Sequence, residues 1–519
     1  MALIIFLPLI SIAQSHIKTK SGSKIEILNA NVLEYEEING LKIKKLIGNV
    51  QLKHDEALMF CDSAYIYSNT NTMDAYGHVR IEQGDSLQIF GDSLKYTGNT
   101  KVAVLRGNIR LINSDVTLIT NFLDYNRTIN VAYYYGGGKM VNQKENNTLT
   151  SGQGYYYTES ESFFFKDNVV LINPGYKIEA DTLNYRSKSE IVNFLGPTTI
   201  TSDDNFIYTE KGWYNTVSNQ SKFYKNAYLF TEERLVEGDT LYYDREKGYG
   251  EIICNAVITD TIENLILQGD VAHLFELKDS VMITDEAMMK QYADGDTLYM
   301  HADTFIVSTQ YIMQDSLLSE TDSSKIVMDT LRSLLAYNNA KFYKSDMQGK
   351  ADSIVYDYSE STINFYNNPV IWSKENQITG DFIYLLTVNN KVDRMFINEN
   401  AFIISKADTV NENYNQIKGK NMVAYLKDQE IHKIDVKENS ETIYYAIDEY
   451  GKYVGVNKMS GNDMLIFMKD NEIQTITFIK DPEGIISPLN KISPKEVILK
   501  GFNWRATERP SDMFDIFIH

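Results

Sequence analysis

The sequence is poor in the residues on which disulfide scaffolds, clustered metal centres and basic binding surfaces depend. Its 519 residues include two Cys, eight Pro and seven His. No His lies at metal-ligand spacing from another His or Cys, and no GxxxxGK phosphate loop occurs. Asp and Glu number 70 against 50 Lys and Arg, which gives a net charge of −20. An acidic surface repels phosphates, so nucleic acid is not expected as a partner.

What is abundant favours β structure. The chain has 36 Tyr and 23 Phe, and aromatic side chains pack well on a pleated surface. Its hydrophobic content of 43% is ample for a core, which excludes wholesale disorder.

The N-terminus differs from the rest of the chain. Residues Ala2 to Ile12 are nearly all apolar and lead into the small-residue exit Ala13-Gln14-Ser15. This run is too short to span a bilayer and is typical of a secretory signal peptide, which we predict at residues 1–15. No Lys or Arg precedes Lys18, so a buried N-terminal strand is the alternative. No other stretch approaches transmembrane length, and we expect an exported, soluble product.

A unit of two short motifs recurs after this leader. The first motif, Gly48 to Leu52, is repeated from Gly77 and from Gly107, and the second, Asp62 to Ile66, is repeated from Asp92. The second motif follows the first after 13 residues and the next copy follows after 16, so one repeat is 29 residues long. A fixed period of this size is typical of a stacked, quasi-one-dimensional fold.

The same phase continues to about residue 258 and resumes between residues 339 and 403. Within each motif apolar and polar residues alternate, which predicts strands with one inward face. The Gly-Asn and Asp-Ser/Thr positions are interpreted as corners. We therefore predict an all-β fold, an elongated twisted β-jellyroll or β-solenoid-like stack of two-strand repeats of about 29 residues.

Interruptions of the phase suggest the domain organisation. We predict an N-terminal β-jellyroll at 24–260, its continuation at 261–410 with an acidic loop at 310–329, and a C-terminal β region at 411–519. In the last region the aromatic and basic stretch 501–505 predicts a segment that caps the stack or docks on a partner.

The two cysteines are not expected to pair. Cys61 and Cys254 are 193 residues apart, between six and seven repeats. Strands stack about 4.8 Å apart, so one strand spacing per repeat separates them by roughly 30 Å, whereas a disulfide needs Cα atoms within about 7 Å. Both are interpreted as small buried hydrophobes.

A recurring carboxylate is the main chemical candidate. It occupies the same repeat position at Asp62, Asp92, Asp181, Asp239 and Asp352. A catalytic pair is normally unique, because its two members need different environments. Turn geometry is therefore the preferred interpretation, with calcium ligation and catalysis as alternatives. His78 takes a position held by Asn in sister repeats and is likewise interpreted as a corner residue. No catalytic residue, metal or cofactor is predicted.

Repeats of Gly-Asn-Val-x-Leu and Asp-Ser/Thr-Leu-x-Tyr behind an exported leader resemble the OstA/LptA family of lipopolysaccharide-transport proteins. The resemblance covers 48–258 and 339–403. It implies a β-jellyroll, open in cross-section, whose apolar interior shields the acyl chains of lipid A. It further implies a non-enzymatic protein of the periplasm or the periplasmic side of the outer membrane. The implied partners are lipopolysaccharide and similar jellyroll domains of a transport bridge or an outer-membrane barrel, or further copies of itself.

Given this resemblance, the position of a residue within the repeat predicts whether it lines the lipid groove. The predicted lining residues are Val50, Leu52, Val79, Ile81, Leu87, Ile89, Ile109, Leu111, Val169, Leu171 and Leu183. Each buried CH₂ of an acyl chain contributes about 0.8 kcal/mol, so a continuous apolar lining is what such a ligand needs.

Two other protein classes stay open. One is an extracellular or periplasmic β-solenoid scaffold or adhesin, and the other is a polysaccharide-active β-helix enzyme. An adhesin should carry a sorting signal or a Ser/Thr-rich stalk, and an enzyme should carry a non-repeated cluster of carboxylates or basic residues. An open apolar cleft would favour lipid carriage, whereas a closed, packed core would favour the other two.

Overall fold

The computed structural model describes residues 23–518 apart from short gaps. The gaps are 85–86, 144–145, 204, 232–233, 263, 294, 314–327, 390, 408–411, 428–429, 449, 451 and 470–471. The described residues form 46 β-strands and four short 3₁₀ helices, with no α-helix among them. The prediction of an all-β fold is therefore confirmed. Within these residues no helix has the length and apolarity that a membrane crossing requires. The predicted signal peptide lies outside the described residues.

The chain divides into two compact units after Glu190. The first unit contains fourteen strands in the described residues, most of them long. Their bounds are β1 Glu26–Asn29, β2 Val32–Ile38, β3 Leu41–His54, β4 Ala57–Tyr67, β5 Thr72–Gln83, β6 Leu87–Thr97, β7 Val102–Asn113, β8 Val116–Asn126, β9 Val131–Tyr134, β10 Gly138–Asn142, β11 Asn147–Ser151, β12 Gln153–Tyr157, β13 Ser162–Asn173 and β14 Tyr176–Arg186.

The long strands of the first unit bend in their middle, where one strand of each pair carries a β-bulge. In β7 the bend falls at Gly107 and Asn108, which have φ of 78° and 44°. The pairing of β7 with β8 jumps from Arg106 to Ile109 across these two residues. The bend divides every strand pair into two halves. We call the half that contains residues 109–113 of β7 sheet A, and the half that contains residues 102–106 of β7 sheet B. The repeat motifs are thus bends inside strands, and the chain reverses elsewhere.

The recurring aspartates hold these bends. Asp92 lies in β6 beside the bend of β7, and its Oδ2 accepts a hydrogen bond from Asn108 Nδ2 at 2.8 Å. Asp62 Oδ2 lies 2.7 Å from His78 Nδ1, and Asn255 Nδ2 donates to Asp239 Oδ2 at 3.0 Å. This geometry supports the interpretation of the aspartates and of His78 as corner residues. It also explains why each of these three aspartates precedes its Asn or His partner by 16 residues.

The second unit contains shorter strands. Their bounds are β15 Ile191–Phe194, β16 Thr198–Thr201, β17 Asn205–Thr209, β18 Lys211–Asn215, β19 Gln220–Tyr224, β20 Tyr228–Thr231, β21 Arg234–Glu237, β22 Thr240–Asp244, β23 Tyr249–Asp260, β24 Leu265–Phe275, β25 Ser280–Thr284, β26 Met288–Ala293, β27 Asp296–His301, β28 Thr304–Met313, β29 Met328–Tyr337, β30 Ala340–Tyr343, β31 Met347–Ala351, β32 Ser353–Asp357, β33 Thr362–Tyr366, β34 Val370–Ser373, β35 Asn376–Thr379, β36 Phe382–Val388, β37 Lys391–Asn398, β38 Phe402–Lys406, β39 Tyr414–Lys418, β40 Asn421–Lys427, β41 Glu430–Lys437, β42 Ser440–Ile447, β43 Tyr453–Gly461, β44 Asp463–Lys469, β45 Glu472–Ile479 and β46 Glu483–Ser487.

These strands also form two antiparallel layers. Sheet A of the second unit runs through β26, β27, β30, β31, β34, β35, β38, β39, β42, β43 and β46. Sheet B runs through β25, β28, β29, β32, β33, β36, β37, β40, β41, β44 and β45. The 3₁₀ helices are Glu276–Lys278, Leu489–Lys491, Ala506–Glu508 and Asp515–Phe517.

Two sequence predictions differ from the structure in detail. Cys61 is buried as predicted, but Cys254 is exposed, because it occupies the first position of a bend, with φ of 63°, where three bends of the first unit have glycine. The acidic loop is shorter than predicted, because β28 continues to Met313 and pairs there with Met328 of β29. The intervening residues 314–327 lie outside the described ranges.

We expect Gly107→Ala to destabilise the protein more than Gly84→Ala. Both glycines have positive φ, which costs a residue with a Cβ about 1–2 kcal/mol. A Cβ at Gly107 would also overlap Asp92 Oδ2, whereas nothing lies within 4 Å of one at Gly84. The difference, at least about 1 kcal/mol, is measurable as a shift in the urea unfolding midpoint. Equal shifts would contradict the role of Asp92 at the bend.

Candidate functional site

The interior of the first unit is the candidate site, because its apolar residues form continuous rows across the strands. In sheet A, Ile81 pairs with Ile89 and Ile89 pairs with Leu111. Successive pairs extend this row in both directions. Its members are Leu52, Met59, Ile81, Ile89, Leu111, Leu118, Met140, Leu149, Leu171 and Ile178. Every one of these side chains is at most 7% exposed.

All of the predicted lining residues lie in this interior and are buried. Leu52, Ile81, Ile89, Leu111 and Leu171 belong to the row just described. The valines and isoleucine that follow the bends, which are Val50, Val79, Ile109 and Val169, lie beside it, and Leu87 lies at the outer end of sheet A. Leu183 lies in sheet B, opposite Phe165. Burial is common to all of them, and contact with a lipid stays a prediction.

Sheet B contributes an equally continuous row that the sequence prediction largely missed. The row consists of Leu46, Ala64, Ala75, Leu94, Leu105, Leu123, Tyr134, Gly154, Phe165 and Leu183. The signal was present in the second motif, whose alternating residues mirror those of the first. Within this row the early members are aliphatic, whereas the later members include large aromatic side chains.

The far ends of the two sheets are joined by hydrogen bonds that recur with the repeat. We call the residues that form them the seam: His54, Gln83 and Asn113 on sheet A, and Tyr96, Tyr125, Tyr156 and Arg127 at the edge of sheet B. His54 Nδ1 lies 2.7 Å from Tyr96 Oη, and Tyr125 Oη donates to Gln83 Oε1 at 3.2 Å. The two sheets are joined through the bends at one end of the strand halves, and these bonds join them at the other end, so they close the mouth between the sheets.

Further bonds strengthen the seam. Asn113 Nδ2 donates to Tyr156 Oη. Arg127 donates through Nε to Gln83 Oε1 at 2.9 Å, and through Nη1 to Tyr96 Oη at 2.9 Å and to the carbonyl oxygen of His54 at 3.2 Å. The open cross-section implied by the family resemblance therefore differs from the structure. The physical reason is that long polar side chains at the strand ends satisfy each other's hydrogen bonds across the mouth.

Burial dominates the ionisation of groups in this interior. It raises the pKa of the Cys61 thiol to about 12, and it raises that of Tyr156 to about 12 against the lowering effect of its bond to Asn113. Burial also raises the pKa of Tyr96 and of Tyr125. The seam tyrosines are therefore neutral donors and acceptors at physiological pH. At the outer end of sheet A, hydrogen bonds from Lys101 and Ser23 lower the pKa of Asp55 to about 2.

The geometry offers apolar burial and little acid–base chemistry. Among the residues that the structure describes, no three His, Cys, Asp or Glu side chains come together in a way that could hold a metal ion. The repeated aspartates are occupied at the bends. The fold and site together define a repeat protein of antiparallel strands with an apolar interior between two sheets.

Comparison with known proteins finds a family match for part of the chain. Residues 22–181 match the family described as OstA-like protein. Over those residues the match confirms the resemblance stated from the repeats. A solved structure, LptH of Pseudomonas aeruginosa, described as the LptA-homologous periplasmic component of the lipopolysaccharide transport device, aligns at 13% identity with a TM-score of 0.22. The alignment covers 27% of this chain and 95% of that one. Among curated proteins, no significant match is found.

We expect the seam to control access to the interior, with Cys61 as a built-in reporter. In a Cys254→Ser background, replacing Tyr96, Tyr125 and Tyr156 by Phe removes hydroxyl bonds worth about 0.5–1.5 kcal/mol each. Opening should become easier, so the rate at which a thiol reagent modifies Cys61 should rise at least about tenfold at constant pH.

Tyr76→Phe and Tyr157→Phe are the matched controls, since these tyrosines are 47% and 42% exposed. They should leave the modification rate of Cys61 unchanged. An unchanged rate in the seam variant, with its fold intact by circular dichroism, would show that the seam does not limit access.

Proposed function

We propose that this protein binds the acyl chains of lipopolysaccharide between the two sheets of its first unit and takes part in carrying the lipid through the periplasm to the outer membrane. The observation that carries the proposal is the pair of buried apolar rows within an OstA-like region. No catalytic step belongs to this proposal.

The chemistry of the rows suits an acyl chain best in the first repeats. There the inward side chains are aliphatic or small, as at Leu46, Ala64, Ala75 and Leu105. Further along, Tyr156 and Phe163 stack with ring centroids 4.1 Å apart and fill the interior. Acyl chains gain free energy in proportion to the apolar surface they bury, and flexible aliphatic walls adapt to them more readily than stacked rings.

Binding requires that the seam opens, because the lining residues are buried in the closed form. Opening exchanges the side-chain hydrogen bonds of the seam for bonds to water, which changes the free energy by a few kcal/mol. An acyl chain of a dozen methylenes contributes about 0.8 kcal/mol per buried CH₂, which is enough to offset that change. Lipid binding and an open mouth are therefore expected to favour each other.

A photo-crosslinking amino acid at Leu111 should label lipopolysaccharide, whereas the same group at Arg110 should not. These neighbours lie on one strand, but Leu111 is buried between the sheets and Arg110 is exposed on the outer face. Labelled lipid is measured by gel shift and by mass spectrometry of the adduct. Equal labelling at both positions, or labelling at Arg110 alone, would refute the proposal.

The first unit also has a free strand edge for partners of the transport route. Among the described strands β2 pairs only with β3, and all seven of its residues are exposed. Its apolar side chains include Leu33 at 58% and Tyr35 at 56% exposure. An exposed apolar edge is an aggregation hazard unless it pairs with another strand. We infer that β2 adds a strand from a similar β-jellyroll, either another copy or a further bridge component.

Leu33→Lys together with Tyr35→Lys should weaken self-association by at least about tenfold, because charged side chains disfavour strand addition at an edge. Sedimentation velocity over a concentration series measures the effect. Leu277→Lys is the control, since Leu277 is 82% exposed in a 3₁₀ helix of the second unit. Identical association of both variants would remove β2 from the interface.

The closed mouth is the observation that favours a non-carrying scaffold as the alternative. In that case the seam would be a permanent part of a packed core. The Leu111 crosslinker would then label no lipid, and the Tyr→Phe changes in the seam would lower stability without exposing Cys61.

A further inference from the structure

The last part of the chain covers the outer face of sheet A in the second unit. We call residues 488–518 the C-terminal segment. The outer row of sheet A beneath it consists of Gln348, Trp372, Gln377, Ile404, Gln416 and Ile443. All of these side chains are at most 3% exposed. Since the inner row of the same strands is also buried, this sheet is covered on both faces.

Glutamine side chains of the sheet recognise the backbone of the segment. Gln416 donates through Nε2 to the carbonyl oxygen of Val497 at 2.8 Å and accepts at Oε1 from the Leu499 amide at 2.9 Å. Gln377 makes the same pair of bonds, to the Asn503 carbonyl at 2.7 Å and from the Arg505 amide at 2.6 Å. In both cases one side-chain amide binds the backbone of two residues that are two positions apart, which satisfies the hydrogen bonds of the buried amide.

Apolar anchors lie between these bonds. Leu499 is buried in a cluster with Phe402, Ile404, Ile443, Tyr445 and Val456. Phe502 and Trp504 pack on Tyr414, with ring centroids 5.3 and 5.1 Å apart. Large aromatic side chains of this kind supply most of the binding energy of peptide interfaces.

Charged groups fix the remainder of the segment. Arg505 Nη1 donates to Asn368 Oδ1 at 3.1 Å, and Lys350 Nζ lies 2.9 Å from Glu508 Oε2. Arg509 Nε donates to Gln348 Oε1 at 2.7 Å. Near the end of the chain, Lys341 Nζ donates to the Ile518 carbonyl. The contacts are therefore those of an interface, with apolar anchors and a polar rim, rather than those of a β-ladder.

In the described residues of the first unit the outer face of sheet A has no such cover. The corresponding outer row of the first unit includes Phe60, Arg80, Phe90 and Arg110, with Arg80 over the ring of Phe60 at 4.2 Å and Arg110 over that of Phe90 at 5.3 Å. These side chains are half-buried or exposed, and the strands that carry them are complete. An uncovered outer face is thus compatible with this repeat.

We propose that the outer face of sheet A in the second unit is a peptide-binding surface, and that the C-terminal segment is a separable ligand bound to it in cis. The peptide it fits carries apolar, aromatic and arginine side chains in the order of Leu499, Trp504 and Arg505. This surface is distinct from the interior of the first unit, and the proposal does not depend on lipid carriage.

The test uses the full chain, folded before it is cut. A protease site is inserted between Ser487 and Pro488, after the last strand, and the folded chain is cleaved there. We expect mild denaturant to release the fragment while the β signal in circular dichroism persists. A synthetic, fluorescently labelled peptide of residues 488–519 should then rebind the stripped chain, as measured by anisotropy.

Peptide variants test the contacts without disturbing the folded protein. Leu499→Ala with Trp504→Ala should weaken binding at least about tenfold, since each change removes an apolar anchor. Lys495→Ala with Lys500→Ala is the matched control, because both lysines are exposed, and it should change affinity by less than about twofold.

A further comparison uses Glu508, whose pKa is lowered from 4.5 to about 2, first by its hydrogen bond with Arg505 and then by that with Lys350. The contribution of the ionised Glu508 carboxylate to binding is fully present above pH 4.5. It is lost as the pH falls toward 2, because the carboxylate is then protonated. At pH 4 the wild-type peptide should therefore lose about fourfold in affinity relative to pH 7 beyond any loss of the Glu508→Gln peptide.

The proposal is overturned if the fragment leaves only when the sheet unfolds. It is equally overturned if the wild-type peptide does not rebind, or if the anchor and control peptides bind alike. Release with retained β structure, followed by anchor-dependent rebinding, supports it.

Discussion

The architecture depends on one backbone constraint, a β-bulge in the middle of a strand made by two consecutive residues of positive φ. At Gly107 and Asn108 this bulge turns the strand and places its two halves in different sheets. At Gly107 a side chain is tolerated poorly, both for the dihedral angle and because Asp92 occupies the space. Asp92 also accepts a hydrogen bond from the Asn108 side chain, which holds this bend. The 29-residue repeat is the spacing of these bends.

Bending every strand at the same place creates an enclosed interior without any helix to cover it. The residues next to the bends, such as Val50 and Ile109, meet apolar partners on neighbouring strands, and continuous rows result. At the far ends of the strands apolar packing gives way to the hydrogen bonds of His54, Gln83 and Asn113 with tyrosines. An apolar interior that can be opened only by breaking polar bonds suits a ligand that must be both shielded from water and released.

The outer face of sheet A carries different side chains in the two units. In the first unit that face meets solvent and uses alternating arginine and aromatic side chains, such as Arg80 on Phe60. In the second unit it carries Gln377, Gln416 and large apolar residues, which would be unfavourable in water and are covered by the C-terminal segment. The strands β34 and β35 are consequently buried on both faces.

The sequence by itself determined the all-β class, the repeat length, the bends and the inward residues of sheet A, because these follow from short-range rules of backbone dihedrals and period-two alternation. Val50 and Leu111 could be placed inside for that reason. Only the tertiary structure decided that Tyr96 reaches His54, 42 residues away, that the mouth is closed, and that Leu499 lies beside Gln416. Such contacts join residues that are distant in sequence, and they depend on side-chain reach and on how the two sheets face each other, which no local pattern encodes. Cys254 shows the same limit, since its exposure follows from the outward direction of the first bend position and not from the apolar character of cysteine.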